Sequence, residues 1–156
     1  MDSTDILINI RKIVRSINLE SKRIQKDYGV SIPQVLCLSY LSRAANFQAT
    51  QSEIKSFLNL NSSTVSGIIQ RLEKKGMIAR LPKSGDKRVT NLILTAPGEN
   101  LLRQVPPLLH DRLSVKLERI EQQELKNIED VLEKLVDMLQ IAEIEASPLI
   151  TNDIDL

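Results

Sequence analysis

A chain of 156 residues with 42% apolar content can form one compact domain, or a small domain carrying a helical extension. One cysteine and one histidine exclude an internal disulfide and leave a Cys/His metal site or other cofactor unexpected, and 3% aromatic content is too low for platforms that stack single-stranded nucleic acid. The formal charge of +1 hides an asymmetry: residues 62–110 hold eight Lys/Arg against three acids, net +5, while residues 111–156 hold five against twelve, net −7. That is the pattern of a chain that turns one surface toward a polyanion.

The N-terminus, MDSTDILINI, lacks the basic start and long apolar stretch of a signal peptide, and no apolar run approaches the ~20 residues of a membrane span. A cytoplasmic location without a membrane partner is expected. Ile6, Ile10, Ile13, Val14, Ile17 and Ile24 fall at helical spacing and predict an amphipathic helix over 5–27, stopped near Gly29. Ser31-Ile-Pro-Gln34 has the form of a capping box with proline in the first turn, opening a second helix to about residue 44. Cys37 lies on that helix with no Lys, Arg or His beside it in sequence, which fits a buried structural thiol better than a reactive one. Thr50-Gln-Ser-Glu53 is a second capping box, opening a short helix with Ile54, Phe57 and Leu58.

Leu60-Asn61-Ser62 is a turn into a helix over 62–75, whose apolar stripe is Val65, Ile68, Ile69 and Leu72. Asn61 or Ser62 can cap its start, and Gly76 suits a left-handed residue past its end. Ile78 to Leu81 and Val89 to Leu94 then read as two strands joined by Ser84-Gly85-Asp86. Thr95 can cap a helix from 96, with Pro97 in its first turn. Pro106-Pro107 predict a kink or break near 103–107, or an end there and a restart at about 108. Over 121–145, Leu125, Ile128, Leu132, Leu135, Leu139 and Ala142 step by three and four, a seam for another helix. His110 is a lone histidine, read as a solvated or hydrogen-bonded side chain. The tail, SPLITNDIDL, has no clear period and is unassigned.

The fold class expected is mostly α with a small β-wing. On the 62–75 helix, the face opposite the apolar stripe carries Ser63, Ser66, Gly67, Gln70 and Lys74, with Thr64 and Arg71 on its flanks. Small hydroxyls and an amide can donate to base edges or phosphates, and they let a helix sink into a major groove about 12 Å wide. Gly67 sits mid-helix at a cost of roughly 1 kcal/mol relative to alanine. It reads either as a point of close DNA approach or as a tolerated surface glycine.

These residues resemble the winged helix-turn-helix of the MarR family of bacterial transcription regulators. The matching run is TVSGIIQRLEKKGMI (64–78), then Asp86-Lys87-Arg88 at the wing tip, then Leu94-Thr95 and Gly98 opening the next helix. The tip followed by a strand ending in Leu-Thr is fairly specific to the family, and the resemblance runs from the helix near residue 5 to about residue 146. It implies a single domain over 1–156, with residues 31–95 as the DNA-binding part, 1–28 and 96–146 as dimerisation helices and 147–156 as a tail. It implies a homodimer on a pseudo-palindromic double-stranded DNA operator, interlocked through the seam Leu125, Ile128, Leu132, Leu135 and Leu139. Carried over residue by residue, the DNA contacts are Ser62, Ser63, Thr64, Ser66, Gly67, Gln70, Arg71, Lys74, Lys83, Lys87 and Arg88. Arg88 is expected in a minor groove, whose negative potential attracts arginine where it narrows. Asp86 is expected to shape the wing by pairing with an arginine. Arg11, Arg15, Arg23 and Tyr28 are either an effector pocket for small anions or phenols, or an ordinary solvated face.

A resemblance also extends to a MarR-like subgroup tied to osmotic stress and compatible-solute genes, carried by residues 29–34, Gln104-Val-Pro-Pro-Leu108 and Ala-Ser-Pro-Leu at 146–149. It implies a repressor released by an effector or by a change in ionic conditions. Two other readings stand beside it: a winged-helix protein-interaction module without specific DNA binding, and a redox-sensing repressor using Cys37, although redox-sensing members typically carry that cysteine on the first helix. No nucleophile–base pair, phosphate loop or paired carboxylates point to an enzyme.

Overall fold

The computed structural model describes residues 2–144. The tail, with the 146–149 run, lies outside them. Helix α1 spans Ser3–Tyr28. Asp2 caps it by accepting from the Thr4 N–H, so it begins two residues before the expected start, and Gly29 ends it at φ 70°. Helix α2 (Ile32–Arg43) opens with the Ser31/Gln34 capping box and Pro33 in its first turn. Thr50 and Glu53 form the second capping box, at the start of α3 (Gln51–Leu58). Asn59 takes the left-handed end of α3, and Asn61 caps α4 (Ser62–Lys74) by accepting from the Thr64 N–H at 2.8 Å. The turn therefore sits at residues 59–61, one residue earlier than the sequence reading, because Ser62 is already helical.

Strands β1 (Gln48–Thr50), β2 (Ile78–Arg80) and β3 (Asn91–Leu94) form an antiparallel sheet in the order β1-β3-β2. The register pairs Ala49 with Leu92 and Ile78 with Leu94. The first strand was not expected. The last begins at Asn91 rather than Val89, because the Val89 N–H turns back to the Asp86 carbonyl and so belongs to the wing tip. Helix α5 (Ala96–Gln104) starts on the Thr95 cap. The chain breaks at Pro106-Pro107 and resumes as α6 (Leu109–Leu117), so the helix ends and restarts instead of kinking.

Helix α2 is the centre of the core. Eight of its residues are buried, and α1, α3, α4, α5 and β3 all pack on it. Leu38, Leu41, Ile54, Leu58, Ile69, Leu72 and Leu92 are fully enclosed, each contributing roughly 1.5–3 kcal/mol by leaving water. Tyr40 of α2 and Phe57 of α3 add a tilted aromatic pair at 4.7 Å. Leu101 buries α5 in this same core, so α5 is part of the winged-helix body as well as of the 96–146 helical region. The Lys75 ammonium, just past α4, donates to the Gly29 carbonyl and to Gln34 Oε1, tying α4 to the α1–α2 turn. Glu20, buried on α1, accepts from the Leu109 N–H at 2.8 Å and so holds the first turn of α6.

Outside this body the chain is open. Helix α7 (Gln122–Leu139) buries none of its residues. It ends at Leu139 because Gln140 adopts φ 58° and the Ile141 N–H returns to the Val136 carbonyl. Ala142 therefore lies beyond the helix and outside the seam expected of it.

Cys37 is fully enclosed, and burial pushes its thiol from an ordinary 9.0 up to about 12. A thiol reagent at pH 8 should modify it only as fast as the protein opens, and pre-reduction should leave that rate unchanged. The folded state holds this proton more tightly than the unfolded chain, so the contribution is complete below pH 9 and is lost as pH rises toward 12. Rapid stoichiometric labelling of the native protein would contradict this placement.

Candidate nucleic-acid interface

Helix α4 buries Val65, Ile68, Ile69 and Leu72 and turns its other side outward. Ser62, Ser63, Gln70, Arg71 and Lys74 are exposed, while Thr64, Ser66 and Gly67 are half-buried. Two details of the outward face differ from a bare polar surface. Ser66 Oγ accepts a hydrogen bond from Gln51 Nε2 of α3 at 3.0 Å. Gly67 lies beneath the Arg71 guanidinium, where an added Cβ would stand 3.4 Å away, in ordinary contact.

Beside α4 stands the wing, residues 81–90, joining β2 to β3. Gly85 supplies the left-handed turn at φ 69°. Asp86 organises the tip: its Oδ1 accepts from the Arg88 backbone N–H and Nε, and its Oδ2 accepts from Arg88 Nη2, all at 3.0 Å. This two-pronged pairing holds the Asp86 carboxyl below the usual carboxylate range and raises the arginine further. The Arg88 side chain remains 91% exposed, so it is oriented without being covered. Lys83 donates to the Lys87 carbonyl at 2.8 Å and braces the tip from the other strand. The aspartate thus sits among cations as the piece that aims one of them.

Outside the wing tip, three cations counted in the basic segment are used internally, among them Arg103, which pairs with Glu99 at 2.8 Å. Lys75 is tied to Gly29 and Gln34, and Arg80 pairs with Glu73 at 2.8 Å. Between the start of α3, the start of α4 and the wing base lies a polar cleft of about 470 Å³, lined by Thr50, Gln51, Ser52, Lys55, Ser62 and Arg88 among others. Sequence reasoning passed over Gln51, Ser52 and Lys55, because their stretch read only as a capped helix start.

The four residues offered as an effector pocket do not come together as one. Arg11, Arg15 and Arg23 are exposed along α1, and Tyr28 packs against the core at its end. A groove of about 360 Å³ instead runs between α1 and α6, with Lys12, Arg112 and Lys116 around Ile13, Ile17 and Leu113. The physical reason is helical phase, since the groove takes the Ile13/Ile17 side of α1. His110 is mostly enclosed, with Nε2 at 2.9 Å from Asp111 Oδ1. The seam residues Ile128, Leu132 and Leu139 are exposed, Leu125 and Leu135 half-buried. Among the described residues, no cluster of His, Cys, Asp and Glu has the makings of a metal site. No helix among them is long and apolar enough to cross a membrane.

A model of the MarR family matches residues 30–90. The chain is 26% identical over 131 residues to the uncharacterised HTH-type transcriptional regulator YsmB of Bacillus subtilis (strain 168), spanning 84% of this chain and 88% of that one. It is 27% identical over 117 residues to the transcriptional repressor MprA of Escherichia coli (strain K12), spanning 75% of this chain and 66% of that one. Among solved structures it superposes on Sco3205, a MarR family transcriptional regulator from Streptomyces coelicolor in complex with DNA, with a TM-score of 0.62, 21% identity and 94% of both chains covered. It superposes on the S. aureus MepR–DNA complex with a TM-score of 0.64 and 21% identity, over 84% of this chain and 96% of that one. At such identity the structural likeness speaks for the fold. Residues 30–90 thus match the MarR model, within a winged-helix fold that the chain shares with such structures over most of its length.

Proposed function

We propose that the protein is a homodimeric regulator of transcription that binds a pseudo-palindromic double-stranded DNA operator and acts as a repressor. The observation that carries this reading is the pairing of an outward polar helix, α4, with a wing whose Arg88 is aimed but uncovered. In this reading α4 enters a major groove through Ser62, Ser63, Thr64, Ser66, Gln70, Arg71 and Lys74. Arg88 reaches the neighbouring minor groove, with Lys83 and Lys87 near phosphates. Relatives named as repressors, and MarR-type structures solved with DNA, support the same reading. Residues 31–95 with α5 form the DNA-binding body. Helices α1, α6 and α7 form the dimer, since Ile6, Ile13, Val14, Leu113, Leu132 and Leu139 stand exposed along them. The groove between α1 and α6 is where an effector would act on that arrangement.

Fragments selected from genomic DNA supply the operator for the test. Arg88→Ala should weaken its binding by about 1–3 kcal/mol and reduce the log–log salt slope by about one unit. The far-UV spectrum should not change, because the wing tip supports no core. A binding isotherm unchanged across salt concentrations removes Arg88 from the interface. Failure to select any fragment favours the interaction-module reading over DNA recognition.

A further inference from the structure

A serine hydroxyl has one hydrogen to donate and two lone pairs to receive with. On a helix entering a groove it can therefore meet either a base acceptor or a base amino group, and by itself it discriminates poorly. Ser66 is not by itself. Gln51 Nε2 donates to its Oγ at 3.0 Å, across the gap between α3 and α4. Gln51 is in turn fixed at both ends of its residue. Its backbone N–H donates to the Thr90 carbonyl at 3.0 Å, at the wing base, and it is the first helical residue after the Thr50 cap. One glutamine thus touches the helix before the turn, the helix after it and the wing.

We propose that Gln51 is a positioning residue for base recognition, which fixes Ser66 as a donor toward the DNA. With one lone pair of the hydroxyl taken by the amide, the oxygen is polarised into a better donor and a poorer acceptor, so its hydrogen is what it best turns outward. The favoured base edge is an acceptor, namely a purine N7, guanine O6 or thymine O4, over the amino group of adenine or cytosine. The inference deepens the reading of α4 as a recognition helix and rests on it. It adds Gln51, which lies outside that helix, to the residues that set specificity.

A glutamate at 51 reverses the polarity. A carboxylate only accepts, so Ser66 has to donate to it, and its lone pairs then face outward. The experiment measures relative affinity for all four base pairs at each position of the selected operator, with wild type, Gln51→Glu, Gln51→Ala and Ser66→Ala. Ser66→Ala and Gln51→Ala should flatten the preference at the same single position in each half-site, by roughly five- to ten-fold. Their salt slopes should be kept, because neither residue brings a charge to a phosphate; a general loss of structure would not allow this. Gln51→Glu should bind all DNA more weakly because of its charge, yet shift the preference at that position toward adenine or cytosine, the bases with a major-groove amino group, on the contacted strand. The inference is overturned if the Gln51 variants keep the wild-type preference where Ser66→Ala loses it, as expected if the hydroxyl bonds back to its own helix. It is also overturned if Ser66→Ala changes no position. Should the wild type select no operator at all, the DNA reading fails together with it, a result visible before any variant is made.

Discussion

Gly98→Ala should destabilise the protein by about 3 kcal/mol or more, read as a lowered urea midpoint at unchanged slope. A methyl group there would overlap the Met77 carbonyl oxygen and lie 2.8 Å from Leu94 Cδ1. Neither neighbour can move cheaply. The Met77 carbonyl accepts from the Thr95 N–H, and Leu94 sits in the sheet pairing with Ile78. Thr95 also clasps the Gly76 carbonyl through its hydroxyl at 2.6 Å while capping α5. The first turn of α5 is thus pressed onto the chain leaving α4, and only a residue without a side chain fits. Gly67→Ala is the natural counterpart. Its Cβ meets ordinary contact, so the helix should gain up to about 1 kcal/mol. Whether that variant still binds operator separates the two readings of Gly67. A gain in stability with lost binding marks close approach of the DNA backbone, and a gain with binding kept marks a tolerated glycine. A Gly98→Ala protein as stable as wild type would refute the packing described for α5.

Leu132→Asp should leave each chain folded but convert the proposed dimer to a monomer, with operator affinity falling steeply. The side chain is 53% exposed within its own chain, so an aspartate there costs the isolated fold little. In a two-fold assembly sealed by α7, the same carboxylate is buried without a partner, at a cost of several kcal/mol. Each monomer then holds a single half-site and loses the gain from joining two. Sedimentation with and without operator reads both effects. A folded dimer carrying Leu132→Asp would move the interface away from this seam.

The helices were legible because their ends are written in side chains. Ser31 with Gln34 and Thr50 with Glu53 close reciprocal caps, and Gly29 and Gly76 provide the left-handed stops. Strand β1 was not legible. It has three residues, buries only Ala49, and follows Asn46 and Phe47, both at positive φ. A phenylalanine rarely adopts that conformation, and no local pattern announces it. The end of α7 escaped for a similar reason, because the apolar stepping continues to Ala142 while the backbone turns at Gln140. At the candidate interface, the polar face of α4 follows from spacing, while the Asp86–Arg88 pairing was expected only from the family resemblance. The Gln51–Ser66 bond joins residues 15 apart, and the Glu20–Leu109 bond residues 89 apart. Both depend on where helices are laid, information that periodicity within one helix does not contain.

The clasp of Lys75 on Gly29 and Gln34 has a mechanical consequence. It ties the chain just past α4 to the turn that ends α1, a direct link between the two helices. In an assembly joined through α1, the gap between the two copies of α4 is then dictated by the angle at which the first helices cross. DNA offers its half-sites at a fixed repeat of about 34 Å. The proposed dimer is in effect a caliper, with its jaws on the nucleic acid and its adjusting screw at the opposite end. Anything that tilts α1 by a few degrees, at a point remote from every base, is registered as a change in grip.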